Sequence, residues 1–455
     1  MVPAELSYRR IATFWLPLAS TWVMMAVEGP YLAAIIARLE SPTENLAAFG
    51  VAFAFAIIIE APVIMLMAAS TALVKNASSY RALRRFTYGL SVALTVIQLL
   101  AVLPSVFSWV ASAIGLPTDV ARLAHHGLII MLPWPIAIGY RRFRQGLLIR
   151  HNLTRRVAYG TALRLGSMTI TALVAARIPG AEGVHVGTTA LAVGVIVEAL
   201  ASRVMTRHIV TQFRIDQYRS SAEGSETPLT IPSIGWFYLP LAMTSVLAMA
   251  VQPTVTFFMG QSRFPLESLA VLPVIHGLTF VFRALGLSYQ EVGIVLFGNQ
   301  WQHYRRIRNF GIMLAVGAAG SLALIVFTPL STVWFEDISG LSPELAAFAV
   351  TPARVLALLP AGSVWICFQR SVLMHARQTA PITWAGMLEL GVVVAMLFIT
   401  VHTLSWVGAV AATTAIIAGR LVGILFLIAP TARARRQHTI HRFGVTAPVT
   451  VGSTG

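Results

Sequence analysis

Twelve apolar runs of about twenty residues or more follow one another between residues 12 and 430 of this 455-residue chain. Each is long enough to cross the ~30 Å hydrocarbon core of a bilayer as a helix. No other feature limits the fold so tightly, because in lipid every backbone N–H and C=O must be satisfied internally. Continuous apolar runs of this length satisfy theirs as helices. The expected fold class is therefore an all-α membrane protein with twelve transmembrane helices. Their expected spans are 12–38, 44–72, 86–110, 122–147, 157–177, 185–208, 236–259, 267–298, 309–331, 344–372, 382–402 and 406–430. Charged residues make up 11% of the chain, against about a quarter in soluble proteins. The intervals between runs are too short for a separate soluble domain. The first run, IATFWLPLASTWVMMAVEGPYLAAIIA, is longer than a signal-peptide core and reads as a retained span.

A net charge of +16 would suit a nucleic-acid partner, but its distribution points to lipid headgroups instead. Of the 33 basic residues, 25 lie in 9–10, 75–85, 141–156, 203–219, 305–308, 370–377 and 433–442, which alternate spans place on one side. The opposite side holds Arg38, Arg122, Arg177 and Arg263, and Arg164, Arg283, Arg354 and Arg420 fall inside spans. The positive-inside rule then puts both termini in the cytoplasm, with the chain in the cell membrane. The single Cys367 excludes an internal disulfide and argues against a cysteine-built metal site. His125 and His126 have no acid or thiol near them in sequence and read as a polar helix edge, so no metal is expected. No Walker A motif, Rossmann glycine pattern, nucleophile elbow or zinc-ligand spacing is present, which points away from an enzyme and from any cofactor.

The chain also repeats itself. FWLPLA at 14–19 returns as FYLPLA at 237–242, ENLA at 44–47 as ESLA at 267–270, and Pro30 as Pro253, all at an offset of 223. At 225, IGL at 114–116 returns as SGL at 339–341 and LRLG at 163–166 as LELG at 388–391. Six spans per repeat is even, so the halves are parallel about an axis along the membrane normal, an architecture suited to alternating access. The expected organisation is a six-helix lobe at 1–210, a polar linker at 211–232, a second lobe at 233–430 and a basic, disordered tail at 431–455.

Charges inside spans are the candidate site residues, since ionisable groups at membrane depth commonly mark pathways or relays. The repeat aligns Glu60 with Arg283, Arg164 with Glu389 and, more loosely, Glu198 with Arg420, an acid against a base each time. If equivalent residues approach across the two-fold axis, Glu60 is tolerated in mid-membrane because Arg283 reaches it. Within-half partners for Arg164 and Glu389 are the competing expectation, and Glu198 and Arg420, nearer span ends, could snorkel. Glu28, just before Pro30, belongs with this set, because a proline in a span often borders a cavity. His276 is a further candidate as a titrating group or an interhelical hydrogen-bond donor.

FWLPLA and FYLPLA, each opening a six-helix half, resemble the multidrug and toxic compound extrusion (MATE) fold. ENLAAFGVAFAFAIIIEAP, GLLIRHNLTRR, FYLPLAM with QPTVTFF, and WVGAVAATTAIIAG resemble the progressive ankylosis (ANK) family within it more closely. The resemblance implies an exporter of anions such as ATP, pyrophosphate or citrate. The expected function is a secondary transporter exporting a small anionic or amphiphilic molecule, with a proton or sodium ion as coupling partner. Glu28 sits about one turn before the acid of the drug/proton exporters. The alternatives are a lipid-linked precursor flippase, a cation-coupled drug antiporter, or a non-transporting assembly or sensor subunit.

Overall fold

The computed structural model describes residues 6–74, 76–151, 153–220, 230–297, 301–376 and 378–443. Among them there is no β-strand, only an isolated bridge between Arg263 and Val407. The first half comprises α1 (Tyr8–Ile36), α2 (Pro42–Ile64), α3 (Leu66–Leu73), α4 (Ala77–Ala101), α5 (Pro104–Ile114), α6 (Thr118–Ile130), α7 (Trp134–Arg150), α8 (Thr154–Ala175) and α9 (Gly183–Met205). After α10 (Arg207–Ser220) the second half comprises α11 (Ile231–Gly260), α12 (Pro265–Leu296), α13 (Tyr304–Phe327), α14 (Leu330–Thr332), α15 (Pro343–Val355), α16 (Leu359–His375), α17 (Ala380–Phe398) and α18 (Gly408–Phe443).

Among the described residues ten helices are long and apolar enough to cross a membrane, and the number of spans rises to as many as twelve when the bent pairs α4/α5 (73°) and α6/α7 (44°) each count as one. Proline places the bends: Pro104 opens α5, and Pro133 and Pro135 stand at the start of α7. Proline has no N–H to give to a continuing helix, so the axis turns there. The polar stretch after 205 is less of a loop than expected, because α10 carries helix to Ser220; 221–229 lie outside the described residues. The expected tail begins as helix too, α18 running to Phe443, and 444–455 lie outside the described residues.

The halves repeat in backbone detail. Ser41 before α2 and Phe264 before α12 both adopt left-handed backbone (φ 46° and 54°), 223 residues apart, and a proline follows each. Gly115 and Gly340, 225 apart, have φ of 78° and 75°. The Asn45 side chain accepts the Val184 N–H (2.8 Å) at the start of α9, and Ser268 accepts the Ala409 N–H (3.0 Å) at the start of α18. In each half the second span thus caps the sixth, satisfying a donor that a helix start leaves orphaned.

Below, the side of the membrane on which α1 begins is the near side. Across the lobe boundary α1 packs on α12 and, by the repeat, α11 packs on α2, while α2 crosses α12 directly. At that crossing a Cβ on Gly50 would fall 2.9 Å from Pro273 Cγ, and where α12 meets α1 one on Gly277 would fall 2.8 Å from Pro30 Cγ, so both glycines permit contacts that no larger residue allows. Glu60 and Arg283 lie ten residues further along their helices, about 15 Å toward the near side.

Candidate functional site

Two clusters of charge sit inside the helical bundle, one in each lobe. In the first, the Arg164 guanidinium on α8 donates to Glu28 on α1 and lies 3.6 Å from Glu198 on α9. Glu198 is 1% exposed and is held in turn by Arg141 and by the Gln145 amide (3.0 Å), both from α7. Four helices therefore meet in one chain, Glu28–Arg164–Glu198–Arg141. Glu60 on α2 accepts a hydrogen bond from the Trp134 indole N–H. Arg144, one turn on from Arg141, donates to Thr206 Oγ1 (2.6 Å) and lies over the Tyr140 ring.

In the second cluster Arg420 on α18 forms an ion pair with Glu389 on α17, Nη2 to Oε1 at 3.0 Å. The Arg283 Nε donates to Ser363 Oγ at 3.2 Å. Arg370 on α16 shares the electrostatic surroundings of Arg420 and Glu389. His276, two turns before Arg283 on α12, makes no hydrogen bond or ion pair among the described residues.

This arrangement corrects the cross-axis expectation. Glu60 and Arg283 form no ion pair with each other here; each is satisfied inside its own lobe, by Trp134 and Ser363. Arg164 does not approach Glu389, nor Glu198 Arg420. The repeat-aligned charges pair within each half instead, Arg164 with Glu198 and Glu389 with Arg420. Glu198 does not snorkel, because Arg141 and Gln145 hold it in the interior. The physical reason is helix packing. α8 lies along α9 and α17 along α18, so the nearest counter-charge is on the neighbouring helix of the same half.

Sequence reasoning placed 141–147 at the end of a span and counted its arginines with the near-side loop. The structure buries Arg141 and Arg144 inside α7 (4% and 8% exposed). The missed signal was spacing. In WPIAIGYRRFRQGLLIR, Arg141, Arg144 and Gln145 stand at i, i+3 and i+4, which puts them on one helix face. Trp134, Ser363 and Arg370 were also missed, and only their depth within spans could have singled them out.

Together the clusters hold four acids, Glu28, Glu60, Glu198 and Glu389, and seven arginines, Arg141, Arg142, Arg144, Arg164, Arg283, Arg370 and Arg420. Arg142 and Arg370 make no ion pair or hydrogen bond among the described residues, although the Nε of each is buried. Both residues are half-buried, and their terminal nitrogens are open to an anion arriving from water. A separate crevice of about 460 Å³ opens at the lobe boundary between α2, α5 and α11, lined by Phe55, Trp109, Pro253, Phe257 and their neighbours without a charged group.

No protein-family model matches the chain, and no curated protein sequence matches it. Solved structures do. The fold is similar to an inward-facing multidrug resistance MATE family transporter of the MOP superfamily, with a TM-score of 0.73 and 13% identity over 96% of this chain and 100% of that one. It is also similar to the lipid II flippase MurJ in an inward closed conformation (TM-score 0.70, 13% identity, 93% of this chain and 90% of that one). A third likeness is to a MOP superfamily transporter from Pyrococcus furiosus, described by the reverse polarity of its binding pocket (0.63, 13%, 94% and 96%). At these identities the likeness is one of architecture, and the chain has the twelve-helix, two-lobe fold of the MATE-type transporters.

Proposed function

We propose that the protein is a secondary transporter that moves a small anionic or amphiphilic molecule across the membrane by alternating access of its two lobes. One observation carries the reading: the charge clusters hold more arginines than acids, and Arg142 and Arg370 make no ion pair or hydrogen bond among the described residues. A drug antiporter for cations needs the opposite balance. The resemblance to the ANK family supports anions of the phosphate or carboxylate class. Glu28, Glu60, Arg283, Arg164 and Glu389, with Glu198, Arg420 and His276, form the proposed site region, and Arg142 and Arg370 join them. The coupling ion is a proton or sodium. The near side is proposed to be cytoplasmic, in the cell membrane, with residues 1–210 and 233–430 moving as lobes.

An amphiphilic cargo is the second reading, favoured by the apolar crevice at the lobe boundary, which would take a chain where the arginines take a head. Proteoliposomes loaded with pyrophosphate, ATP, citrate or a polyprenyl phosphate separate the two. The expected result is flux of at least one such anion that falls tenfold or more in Arg142→Gln with Arg370→Gln. Unchanged flux in that double variant, or flux of cations alone, overturns the anion reading. Impermeant labelling of single cysteines at Arg84 and Arg155 from inside, and at Asp119 and Glu336 from outside, tests orientation.

A further inference from the structure

We propose that His126, Glu182 and His185 form a binding site for a divalent transition-metal ion, zinc above all, on the membrane face opposite the start of α1. The three residues offer one ligand atom each, and these atoms all lie within 4.8 Å of one another. The His185 Nδ1 stands 3.4 Å from Glu182 Oε2. Two ligands at the corners of a zinc tetrahedron, with bonds of about 2.0–2.1 Å, are separated by about 3.3 Å. The pair already has that spacing. The His126 and His185 rings stack with centroids 5.5 Å apart and planes inclined by 28°, and a nitrogen of each lies within 4.8 Å of the other and of the Glu182 carboxylate.

The elements around the trio hold it in place. His126 comes from the middle of α6, Glu182 is the residue before α9, and His185 is in the first turn of α9. The start of α9 is pinned by Asn45, whose side chain accepts the Val184 N–H while donating to the Glu40 and Ser41 carbonyls (both 3.0 Å). Gly127, beside His126, lets α6 approach α9 closely, since a Cβ there would meet Val184 Cγ2 at 3.0 Å. Arg122, one turn before His126, donates to Glu182 Oε1 at 3.0 Å. That bond orients the carboxylate and leaves Oε2 toward the histidines, the part an outer hydrogen bond plays in zinc sites. His185 and Glu182 are 36% and 31% exposed, so an ion reaches the site from water.

Two imidazoles and one carboxylate are the ligand set of open zinc sites, in which water takes the fourth position. Hard cations such as magnesium prefer all-oxygen shells and are not expected to compete. The sequence concealed the site because about sixty residues separate His126 from Glu182 and His185. A bound ion would fasten α6 to the start of α9 within one lobe, and this inference does not depend on the transport reading.

The test uses the full chain in detergent, stripped of metal with a chelator and titrated with zinc by calorimetry in excess magnesium. One zinc per chain is expected, weakened tenfold or more in His126→Gln and in His185→Asn. The melting temperature of each variant without metal should match the parent, which separates lost ligation from lost folding. Cobalt substitution should give the intense visible absorption of a four- or five-coordinate centre, abolished in Glu182→Gln. No zinc binding by the parent chain, binding unchanged in the His126→Gln/His185→Asn double variant, or a six-coordinate cobalt spectrum overturns the proposal.

Discussion

Arg420 forms an ion pair with Glu389 at 3.0 Å between α18 and α17, and the equivalent bridge in the other half, Arg164 to Glu198 at 3.6 Å, runs with its charges exchanged. The fifth span carries the arginine in the first half and the acid in the second. Both halves need a bridge between these two helices, and either polarity serves.

The exchange predicts an outcome for charge-swapped variants of the second half. Glu389→Arg and Arg420→Glu should each lose about 3–5 kcal/mol of stability, since one removed partner leaves a buried charge uncompensated. The double swap restores the polarity that the first half uses and should recover half of the loss or more in a thermal unfolding assay. The same swap at Arg164 and Glu198 should recover nothing, because Glu198 also holds Arg141 and Gln145, and Arg164 also holds Glu28. Equal recovery in both halves would show that the extra partners carry no weight.

Trp134→Phe removes the N–H that reaches Glu60. A loss of roughly 1–3 kcal/mol is expected, the cost of leaving a buried acceptor unsatisfied. Combined with Glu60→Leu, the same substitution should cost much less, because no acceptor then remains to be orphaned. Additive losses in a double-mutant cycle would separate the two residues.

A prediction about the lobe boundary concerns the break between α2 and α3. The Met65 N–H turns back to Val63, so the Ala61 carbonyl lacks its usual helical donor. α11 of the opposite lobe supplies one, Ser245 Oγ at 2.6 Å, and Tyr238 donates its hydroxyl to the Pro62 carbonyl. Tyr238→Phe with Ser245→Ala should weaken the contact between lobes by about 1–3 kcal/mol in total. The readout is faster maleimide labelling of a cysteine placed at Ala242 in a Cys367→Ser background. No change in labelling would mean that these bonds do not hold the lobes together.

Gly50 and Gly277 set the approach of α2 to α12 and of α12 to α1. Gly50→Val should push the crossing apart on the side away from the α1 start, because its Cβ alone meets Pro273 at 2.9 Å. Double electron–electron resonance between labels at Ser41 and Phe264 should lengthen in that variant. The distance between labels at Ser41 and Glu182, both in one half, should stay the same. An unchanged Ser41–Phe264 distance argues that the helices do not pivot at Gly50.

Much of the fold was legible because a bilayer reduces the options to helix count, length and direction, and the repeat then fixed how two sets of six relate. FWLPLA against FYLPLA and Pro30 against Pro253 carry that information in identity alone. The partners of the charges were not legible. Register shows which residues are equivalent, and equivalence is not proximity. Glu60 and Arg283 are equivalent in depth yet each has a nearer partner on its own side of the axis. Trp134 as the donor to Glu60 could not be read, since an indole in an apolar run carries no mark of whether its N–H is used. The arginines of α7 were misplaced for a related reason: the positive-inside rule counts charges and does not see which of them a helix turns inward.

Ser41 and Phe264 share one further lesson. A left-handed backbone is uncommon for any residue with a side chain and a clear outlier for one as bulky as phenylalanine. Two unlike residues hold it at φ 46° and 54°, each just before a helix-opening proline. The backbone turn is what the two corners share, and the side chain on it is free to differ, just as positions 164 and 389 share a place in the repeat and differ in charge.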